Sequence, residues 1–228
     1  MKQYRHMLEL FSKTSMKNDY GKNAKQPYLL IKRIFDILFS LLMIVPLLLL
    51  TVFIKVVFIL KKEKDPLFYK QLRIGMGGKE FKIIKFRTMS HDAEAELIRL
   101  LENEDNKDEW EKYHKLKDDP RVTPFGLFLR KSSLDEFPQF INVLKGDMSI
   151  IGPRPLVPGE LEQHHGLPVY NSVRPGITGW WACNGRSSMK YEERLKYEYY
   201  YIENMSLLLD LKIFFKTIAC VFDKTGAR

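Results

Sequence analysis

The feature that most limits what this chain can fold into is an almost wholly apolar run from Ile37 to Ile54. Eighteen residues at a rise of ~1.5 Å per residue make a helix of about 27 Å, close to the ~30 Å hydrocarbon core of a bilayer. Pro46 lies near the middle of the run, where a proline removes a backbone hydrogen bond and favours a kink. Length and composition therefore predict a membrane helix without deciding whether it crosses the bilayer.

Basic residues flank the apolar run on both sides. A spanning helix usually keeps its positive charge on the cytoplasmic side, so charge at both ends also fits a helical hairpin that enters one leaflet and returns. Pro46 would be the break between its two arms. An ordinary spanning helix that tolerates the proline is the alternative on these residues alone. The flanking residues are Lys32, Arg33, Lys55, Lys61, Lys62 and Lys64.

The composition of the 228 residues is basic, with a formal net charge of +9. Such a balance suits nucleic acid, an anionic membrane surface or phosphate-rich substrates. The charge is spread over the flanks of the apolar run and the predicted strands, and no nucleic-acid motif is present, so we expect no nucleic-acid partner. The two cysteines have no metal-type spacing, which indicates free thiols in a reducing compartment.

Strand and helix patterns follow the apolar run. Alternating residues from Pro66 to Ile74 and from Glu80 to Met89, joined by a glycine-rich turn, predict a β-hairpin. The charged stretch 91–117 predicts a solvent-facing helical insertion. Two helices are predicted near the end, Ser188–Tyr201 and Leu207–Phe222, the second capped by Ser206. The last helix is amphipathic and fits either the bilayer surface or a protein core.

An adjacent acid pair, Asp135 and Glu136, lies at the centre of the stretch from Thr123 to Pro155. Ser133 and Glu136 have the spacing of a capping box, so a helix is predicted to begin at Ser133 and to end at Gly146. Acids in a first helical turn are often purely structural. Here basic residues surround the pair, and two carboxylates beside arginines can hold a divalent cation and a phosphate.

The whole stretch from Thr123 to Pro155 closely resembles the bacterial sugar transferases, the monotopic phosphoglycosyl transferases that load a sugar phosphate onto a polyprenyl phosphate. The resemblance covers about Lys32 to Phe222 and includes the opening Lys32-Arg33-Ile34-Phe35-Asp36. It implies an α+β monotopic membrane protein. A flexible polar extension (1–28) would precede a re-entrant helical hairpin (29–62) and a mostly helical cytosolic catalytic domain (63–228) with a small β-hairpin and interfacial amphipathic helices.

The activity that the resemblance implies is transfer of a sugar 1-phosphate from a nucleotide diphosphate sugar, expected to be UDP-linked, to undecaprenyl phosphate, with release of UMP. The reaction would be ping-pong through a phospho-aspartyl intermediate. It would open synthesis of a surface glycan (exopolysaccharide, capsule, O-antigen or glycoprotein glycan) on the cytoplasmic face of the bacterial inner membrane. Implied partners are the nucleotide sugar, the polyprenyl phosphate, the membrane, downstream glycosyltransferases and a second copy in a homodimer.

The resemblance also assigns residues. Asp135 would be the nucleophile, and Asp135 and Glu136 would hold Mg²⁺ as cofactor. Two positions depart from the family pattern, because Val45 replaces the usual Ser before Pro46 and Ala182 replaces a usual Gln. Without the resemblance, several of the basic residues would be taken for surface charges. The implied substrate-binding residues are Lys85, Arg87, Arg130, Arg154, Arg174, Arg186 and Asp210.

A membrane-anchored, non-catalytic scaffold of a glycan assembly complex is the alternative function. The intact pair of Asp135 and Glu136, together with the basic residues around it, argues against a decayed enzyme.

Overall fold

The computed structural model describes residues 22–63, 65–113, 116–160, 170–185 and 191–222. The predicted extension before residue 22 and the predicted site residue Arg186 lie outside them. The architecture is α+β, with one long apolar N-terminal helix. The helices are α1 (Lys22–Leu60), α2 (Ala93–Leu100), α3 (Glu104–Tyr113), α4 (Pro124–Lys131), α5 (Gln139–Lys145), α6 (Tyr191–Asn204) and α7 (Leu207–Phe222), and the strands are β1 (Phe68–Ile74), β2 (Glu80–Phe86), β3 (Ser149–Ile151) and β4 (Gly176–Thr178).

Helix α1 is continuous through Pro46, so the structure does not show the predicted break into two arms. A proline inside a helix removes one hydrogen bond and costs about 3 kcal/mol. Packing on both sides of the proline offsets that cost, because Leu47 and Ile54 are buried on the later half and Ser40 on the earlier half. The helix also begins at Lys22 and therefore includes residues 22–28, which were predicted to be flexible.

Both halves of α1 contact the rest of the protein. In the earlier half, the Phe39 ring lies 5.4 Å from Phe214 and 6.0 Å from Phe140. In the later half, the Phe58 ring lies 6.5 Å from Phe125. Side chains before and after Pro46 thus pack against the same domain, and α1 lies along one side of it.

The outward face of α1 is apolar. An 18-residue stretch within Gln26–Leu60 has a mean hydropathy of 2.9, and the segment is long enough to cross a membrane, the one such helix in the part of the chain that the structure describes. Helix α7 adds a second exposed apolar face. More than 40% of each of these side chains is exposed: Leu30, Leu38, Leu42, Val45, Leu49, Val52, Ile59 and Leu60 on α1, and Leu207, Leu208, Leu211 and Phe215 on α7.

The predicted β-hairpin is confirmed. Strands β1 and β2 pair antiparallel, from Phe68 opposite Phe86 to Ile74 opposite Glu80. The turn between them needs glycine, because Gly77 and Gly78 have φ angles of 70° and 76°. Strand β2 buries Phe81, Ile83, Ile84 and Phe86, so side chains on both of its faces are buried. Lys85 lies on the same face as Phe81 and Ile83.

A second sheet was not predicted. Strands β3 and β4 pair in parallel, with Ser149 opposite Gly176 and Ile151 opposite Thr178. Each strand has three residues, too few for an alternating pattern to be visible in the sequence. The pairing needs glycine at Gly176, because a Cβ there would collide with the backbone of Gly152.

The helices predicted outside the stretch from Thr123 to Pro155 are confirmed. Helices α2 and α3 form the charged insertion after β2. The second of the late helices, α7, spans Leu207–Phe222 as predicted, and the Ser206 hydroxyl accepts a hydrogen bond from Leu209 N at 3.3 Å. The first is α6, which continues to Asn204, beyond the predicted end at Tyr201, and on which Leu195 and Tyr199 are buried. The predicted start of this helix, 188–190, lies outside the described residues.

Candidate active site

The chain around Asp135 differs from the predicted capping box. Ser133 has a φ of 57°, its side chain caps nothing, and Leu134–Glu136 is a single 3-10 turn. The helix α5 begins only after Pro138. A helix that began at Ser133 would place Pro138 in its interior, where the ring would clash with the carbonyl of Leu134. The prediction that Gly146 ends the helix is confirmed, because its φ is 91°.

The tight turn at Ser133 gives the two acids different surroundings. Asp135 is buried, with 8% of its surface exposed, whereas 36% of the Glu136 side chain is exposed. A left-handed conformation at a residue other than glycine costs about 1–2 kcal/mol, and such strain is typical of functional sites. The turn therefore holds the Asp135 carboxyl group inside the protein and leaves the Glu136 carboxyl group partly exposed.

Lys85 binds the acid pair from strand β2. Its ammonium Nζ lies 2.6 Å from Oε1 of Glu136. Asn142, which is fully buried on α5, fixes the strand in this position. Its Oδ1 accepts a hydrogen bond from Ile84 N at 3.1 Å, and its Nδ2 donates to Lys82 O at 2.8 Å. Sequence reasoning missed Asn142, although a lone amide on the apolar face of a predicted helix was the available signal.

Arg130 is held beside the pair by the start of α4. Its Nε donates to Thr88 Oγ1 at 3.0 Å, and Thr88 O accepts from Thr123 N at 3.0 Å. Thr123 also caps α4, since its Oγ1 accepts from Gly126 N at 2.9 Å. A Cβ at Gly126 would collide with the Thr88 backbone, so glycine permits the close approach that places Arg130.

The surroundings shift the pKa values of the two carboxyl groups in opposite directions. Burial raises the pKa of Asp135 to about 6, against the opposing charges of Lys85 and Arg130, and the negative charge of Glu136 adds to the rise. For Glu136, burial is outweighed by Lys85, and its pKa is lowered. Near neutral pH Glu136 is therefore firmly ionised, whereas the desolvated Asp135 ionises less readily.

Arg154 approaches the pair from the turn Pro153–Pro155. Its charge contributes to the lowered pKa of Glu136, so the guanidinium lies within electrostatic range of that carboxylate. The turn is held from behind by Glu198 and Tyr170, because Arg154 N donates to Glu198 Oε1 at 3.4 Å and the Tyr170 hydroxyl contacts Arg154 O at 2.9 Å. Sequence reasoning assigned no role to these two residues.

Arg174 and Asp210, both predicted to bind substrate, make their contacts elsewhere. Arg174 Nε donates to Gly146 O at 3.0 Å, at the end of α5 that is remote from Asp135. Arg33 donates to Val143 O at 2.8 Å, so these two arginines together satisfy carbonyls at the C-terminal end of α5.

Asp210 joins α1 to α6 and α7. Its Oδ2 accepts hydrogen bonds from Tyr28 and Lys32, each at 2.7 Å, and its Oδ1 accepts one from Tyr201 at 2.8 Å. These contacts give Asp210 a structural use in holding the N-terminal half of α1.

Arg87, also predicted to bind substrate, lies two residues beyond Lys85 and lines a separate small cavity of about 150 Å³. Its Nε donates to Pro66 O at 2.9 Å. Lys61, at the end of α1, and Phe125 line the same cavity, and acidic Glu63 and Asp65 offset its positive charge. The structure therefore brings Lys85, Arg130 and Arg154 to the acid pair, and places Arg87, Arg174 and Asp210 outside it.

Asp135 and Glu136 are the two carboxylates that could hold Mg²⁺. Within the described ranges no group of three or more His, Cys, Asp or Glu residues could hold a metal ion. Mg²⁺ is commonly held by one or two carboxylates together with substrate phosphates and water, so a pair fits this ion when phosphate is present. The burial of Asp135 without a neutralising ion pair of its own, seen in its raised pKa, is what a cation would relieve.

The arrangement can carry out a nucleophilic substitution at phosphorus. A desolvated carboxylate is a stronger nucleophile than a hydrated one, and carboxylates form covalent phosphoryl intermediates. Three cations at its side can stabilise the charge on phosphate oxygens. The relevant residues are Asp135 as the nucleophile and Lys85, Arg130 and Arg154 as the cations.

Comparisons with known proteins agree with this geometry. The model of the bacterial sugar transferase family matches residues 27–224. The chain is 41% identical over 208 residues to an undecaprenyl-phosphate galactose phosphotransferase of Salmonella typhimurium, covering 90% of this chain and 43% of that protein. It is 43% identical over 199 residues to the exopolysaccharide production protein ExoY of Sinorhizobium fredii, covering 86% of this chain and 87% of that protein.

A third relative is a UDP-N-acetylgalactosamine-undecaprenyl-phosphate N-acetylgalactosaminephosphotransferase of Aeromonas hydrophila, 38% identical over 222 residues, 92% of this chain and 48% of that protein. The chain thus spans less than half the length of several curated relatives that it matches, among them the Salmonella and Aeromonas proteins. The part of the chain that the family model matches, residues 27–224, contains the acid pair and all three cations beside it.

Proposed function

The chain belongs to the bacterial sugar transferase family, and from that premise we propose that it transfers a sugar 1-phosphate from a UDP-sugar to undecaprenyl phosphate. The observation that carries the proposal is the buried Asp135, of raised pKa, beside Glu136 and the Lys85 ammonium. Burying a carboxyl group costs stability. A desolvated carboxyl group next to a cluster of cations is therefore not expected in a scaffold without catalysis.

The proposed reaction has two steps at one phosphorus atom. First, an oxygen of the ionised Asp135 attacks the phosphorus that carries the sugar, a carboxyl–phosphorus bond forms, and the bond to the bridging oxygen breaks so that UMP leaves with the electron pair. Second, a phosphate oxygen of the lipid attacks the same phosphorus and releases Asp135 as a carboxylate. Splitting one displacement into two is the usual gain from a covalent intermediate.

The cations stabilise the charge that develops on the phosphate oxygens. Lys85 is oriented by Glu136, Arg130 by Thr88, and Arg154 by the turn that carries it. Because these groups are fixed before the substrate arrives, little reorganisation is needed during the reaction. Asp135 and Glu136 would hold Mg²⁺, whose chemistry when bound is to neutralise the diphosphate and ease the departure of UMP.

The membrane position follows from the two exposed apolar faces. We place the outward face of α1 and the exposed face of α7 in the bilayer, on the cytoplasmic side of the inner membrane. The support is that residues on both sides of Pro46 contact one domain, which favours an α1 that stays on the domain's side of the membrane. The protein would be monotopic, with the site near the depth of the lipid phosphate.

The names of the relatives suggest which donors to test first. The Salmonella protein is named for galactose and the Aeromonas protein for N-acetylgalactosamine, and the ExoY name refers to exopolysaccharide production. We therefore place this chain at the first membrane step of a surface glycan, with a UDP-linked hexose or N-acetylhexosamine as the donor.

The test is a transfer assay with a panel of radiolabelled UDP-sugars, undecaprenyl phosphate and the purified protein in lipid nanodiscs. We expect one donor to give a labelled lipid product and UMP. Asp135→Asn should abolish both products, and the exposed Glu102→Gln should leave them unchanged as the matched control. UMP release without any need for Asp135, or no transfer from any donor, would reject the proposal.

A further inference from the structure

The turn that carries Arg154 rests on a buried pair of side chains behind the site. Tyr170 and Glu198 are almost fully buried, with 3% and 1% of their surfaces exposed. Glu198 Oε1 accepts a hydrogen bond from Arg154 N at 3.4 Å. The hydroxyl oxygen of Tyr170 lies 2.9 Å from Arg154 O and 2.6 Å from Glu198 Oε2. Both polar groups of the Arg154 backbone are therefore engaged by this pair.

The two contacts of the Tyr170 hydroxyl require two hydrogens. A phenol has one hydrogen to donate, and it lies between a carbonyl oxygen and a carboxyl oxygen, both of which are acceptors when Glu198 is ionised. One of the two contacts would then be oxygen against oxygen without a hydrogen. A proton on Oε2 of Glu198 removes the conflict, because the carboxylic acid donates to the phenol oxygen and the phenol donates to Arg154 O.

The charges around Glu198 come from three elements. On its own helix, Arg194 Nε lies 3.7 Å from Oε1, and the same guanidinium contacts Glu160 Oε1 at 3.2 Å. Arg154 faces it from the turn, and Tyr170 faces it from the short 3-10 helix Tyr170–Ser172. Burial raises the pKa of Glu198 against the opposing charges of Arg194 and Arg154. The attraction of Arg194 is divided between two carboxyl groups, which weakens its hold on either.

We propose that Glu198 carries a proton on Oε2 in the folded protein at neutral pH and, through Tyr170, fixes the backbone of Arg154. Glu198 and Tyr170 are then positioning residues that touch no substrate. The neutral acid has a second consequence, since it leaves the full positive charge of Arg154 for a phosphate. An ionised Glu198 would instead put a buried negative charge directly behind that guanidinium. Only the role given to Arg154 rests on the proposed function.

The protonation state can be measured without any assay of activity. A protonated carboxyl group has an infrared carbonyl stretch that ionised carboxylates and amides lack, and this band shifts in deuterium oxide. We expect the band at about pH 8 in the wild-type protein, where exposed carboxyl groups are ionised. The band should be absent from the spectrum of Glu198→Gln. Tyr170→Phe should shift it, because the acid loses the oxygen to which it donates.

Activity then tests the positioning role. Glu198→Gln can donate from its amide to Tyr170 and accept from Arg154 N, so it should transfer sugar phosphate nearly as well as wild type. Glu198→Ala and Tyr170→Phe free the turn and should lower kcat/KM roughly 10- to 100-fold. The exposed Tyr200→Phe is the matched control. Rescue by Gln and not by Ala separates hydrogen-bond geometry from charge.

Three outcomes overturn the inference. The first is the absence of the wild-type carbonyl band. The second is a band that persists in Glu198→Gln, which would assign the proton elsewhere. The third is a Glu198→Gln protein as impaired as Glu198→Ala, which would show that the negative charge is needed. If the protein transfers no sugar phosphate at all, the spectroscopic result still decides where the proton lies, and the proposed function fails separately.

Discussion

Nζ of Lys85 lies 2.6 Å from Oε1 of Glu136, and through this contact strand β2 divides the acid pair into two unlike carboxyl groups. Lys85 overcomes the effect of burial on Glu136 and lowers its pKa. For Asp135 burial prevails, and its pKa is raised to about 6. Neighbouring carboxyl groups whose pKa values are separated in this way often have different roles in catalysis.

Removing the ammonium should therefore impair the site more than the fold. In Lys85→Met the pKa of both acids rises and one phosphate-binding cation is lost, so we expect kcat/KM for the nucleotide sugar to fall about 100-fold or more. Lys85→Arg should retain part of the activity. Lys82→Met, at an exposed residue of the same strand, is the matched control. Equal activity of Lys85→Met and Lys82→Met would show that the ion pair has no part in transfer.

The raised pKa of Asp135 predicts a pH-dependent cost in stability. The folded-state value of about 6 lies above the usual 3.8, so the folded protein holds this proton more tightly than the unfolded chain. Between these two values the unfolding free energy falls as pH rises, and it stays lower above about 6. Asp135→Asn has no proton to lose. Its stability relative to wild type should therefore grow between about pH 4 and pH 6, by about 1–3 kcal/mol.

Thermal unfolding in EDTA, without nucleotide sugar, measures this difference with no metal at the pair. The exposed Glu102→Gln should show no such pH-dependent gain. A difference between Asp135→Asn and wild type that is constant from pH 4 to pH 8 would contradict the raised pKa.

Asn142 should be needed for the fold around the site. The Asn142 side chain is the hydrogen-bond partner of Ile84 N and Lys82 O. Asn142→Ala leaves both backbone groups without this partner, and we expect a loss of about 2–4 kcal/mol in unfolding free energy. The loss should appear as a lower Tm in detergent, together with weaker activity because Lys85 is no longer fixed. Asn204→Ala, on an exposed part of α6, is the control. A Tm equal to that of the control would mean that strand β2 is held by other contacts.

The position of α1 can be tested by labelling in intact cells. Cysteines at Gln26 and at Glu63, with Cys183 and Cys220 replaced by serine, should both resist a membrane-impermeant thiol reagent, because both ends of α1 would lie on the cytoplasmic side. Both should react once the membrane is opened. Labelling of one position alone from outside would mean that α1 spans the bilayer.

The sequence predicted the parts of the fold that depend on local pattern. The β-hairpin with Gly77 and Gly78 and the helix α7 with its Ser206 cap follow from period and turn chemistry, and both are confirmed. The start of α5 was misjudged at Ser133 because the capping-box spacing was given more weight than Pro138, which forbids a helix through that point. Long-range packing, which keeps α1 continuous at Pro46, leaves no local signal.

Part of the site could also be predicted. The family resemblance placed Asp135, Glu136, Lys85, Arg130 and Arg154 together, and the structure brings them together. Arg174 was chosen by the same resemblance but caps the end of α5. The positioning residues Asn142, Tyr170 and Glu198 were missed, because each acts through backbone atoms far away in sequence, and only the folded chain shows those contacts.

The most direct test of the account is the mass of the protein after incubation with the accepted UDP-sugar in the absence of undecaprenyl phosphate. We predict an added mass of one sugar phosphate, located on Asp135 by peptide mapping, with one UMP released per protein and discharge of the adduct when the lipid is added. Asp135→Asn should gain no mass. Full transfer activity with no adduct, or an adduct on a different residue, would contradict the assignment of Asp135 as the nucleophile.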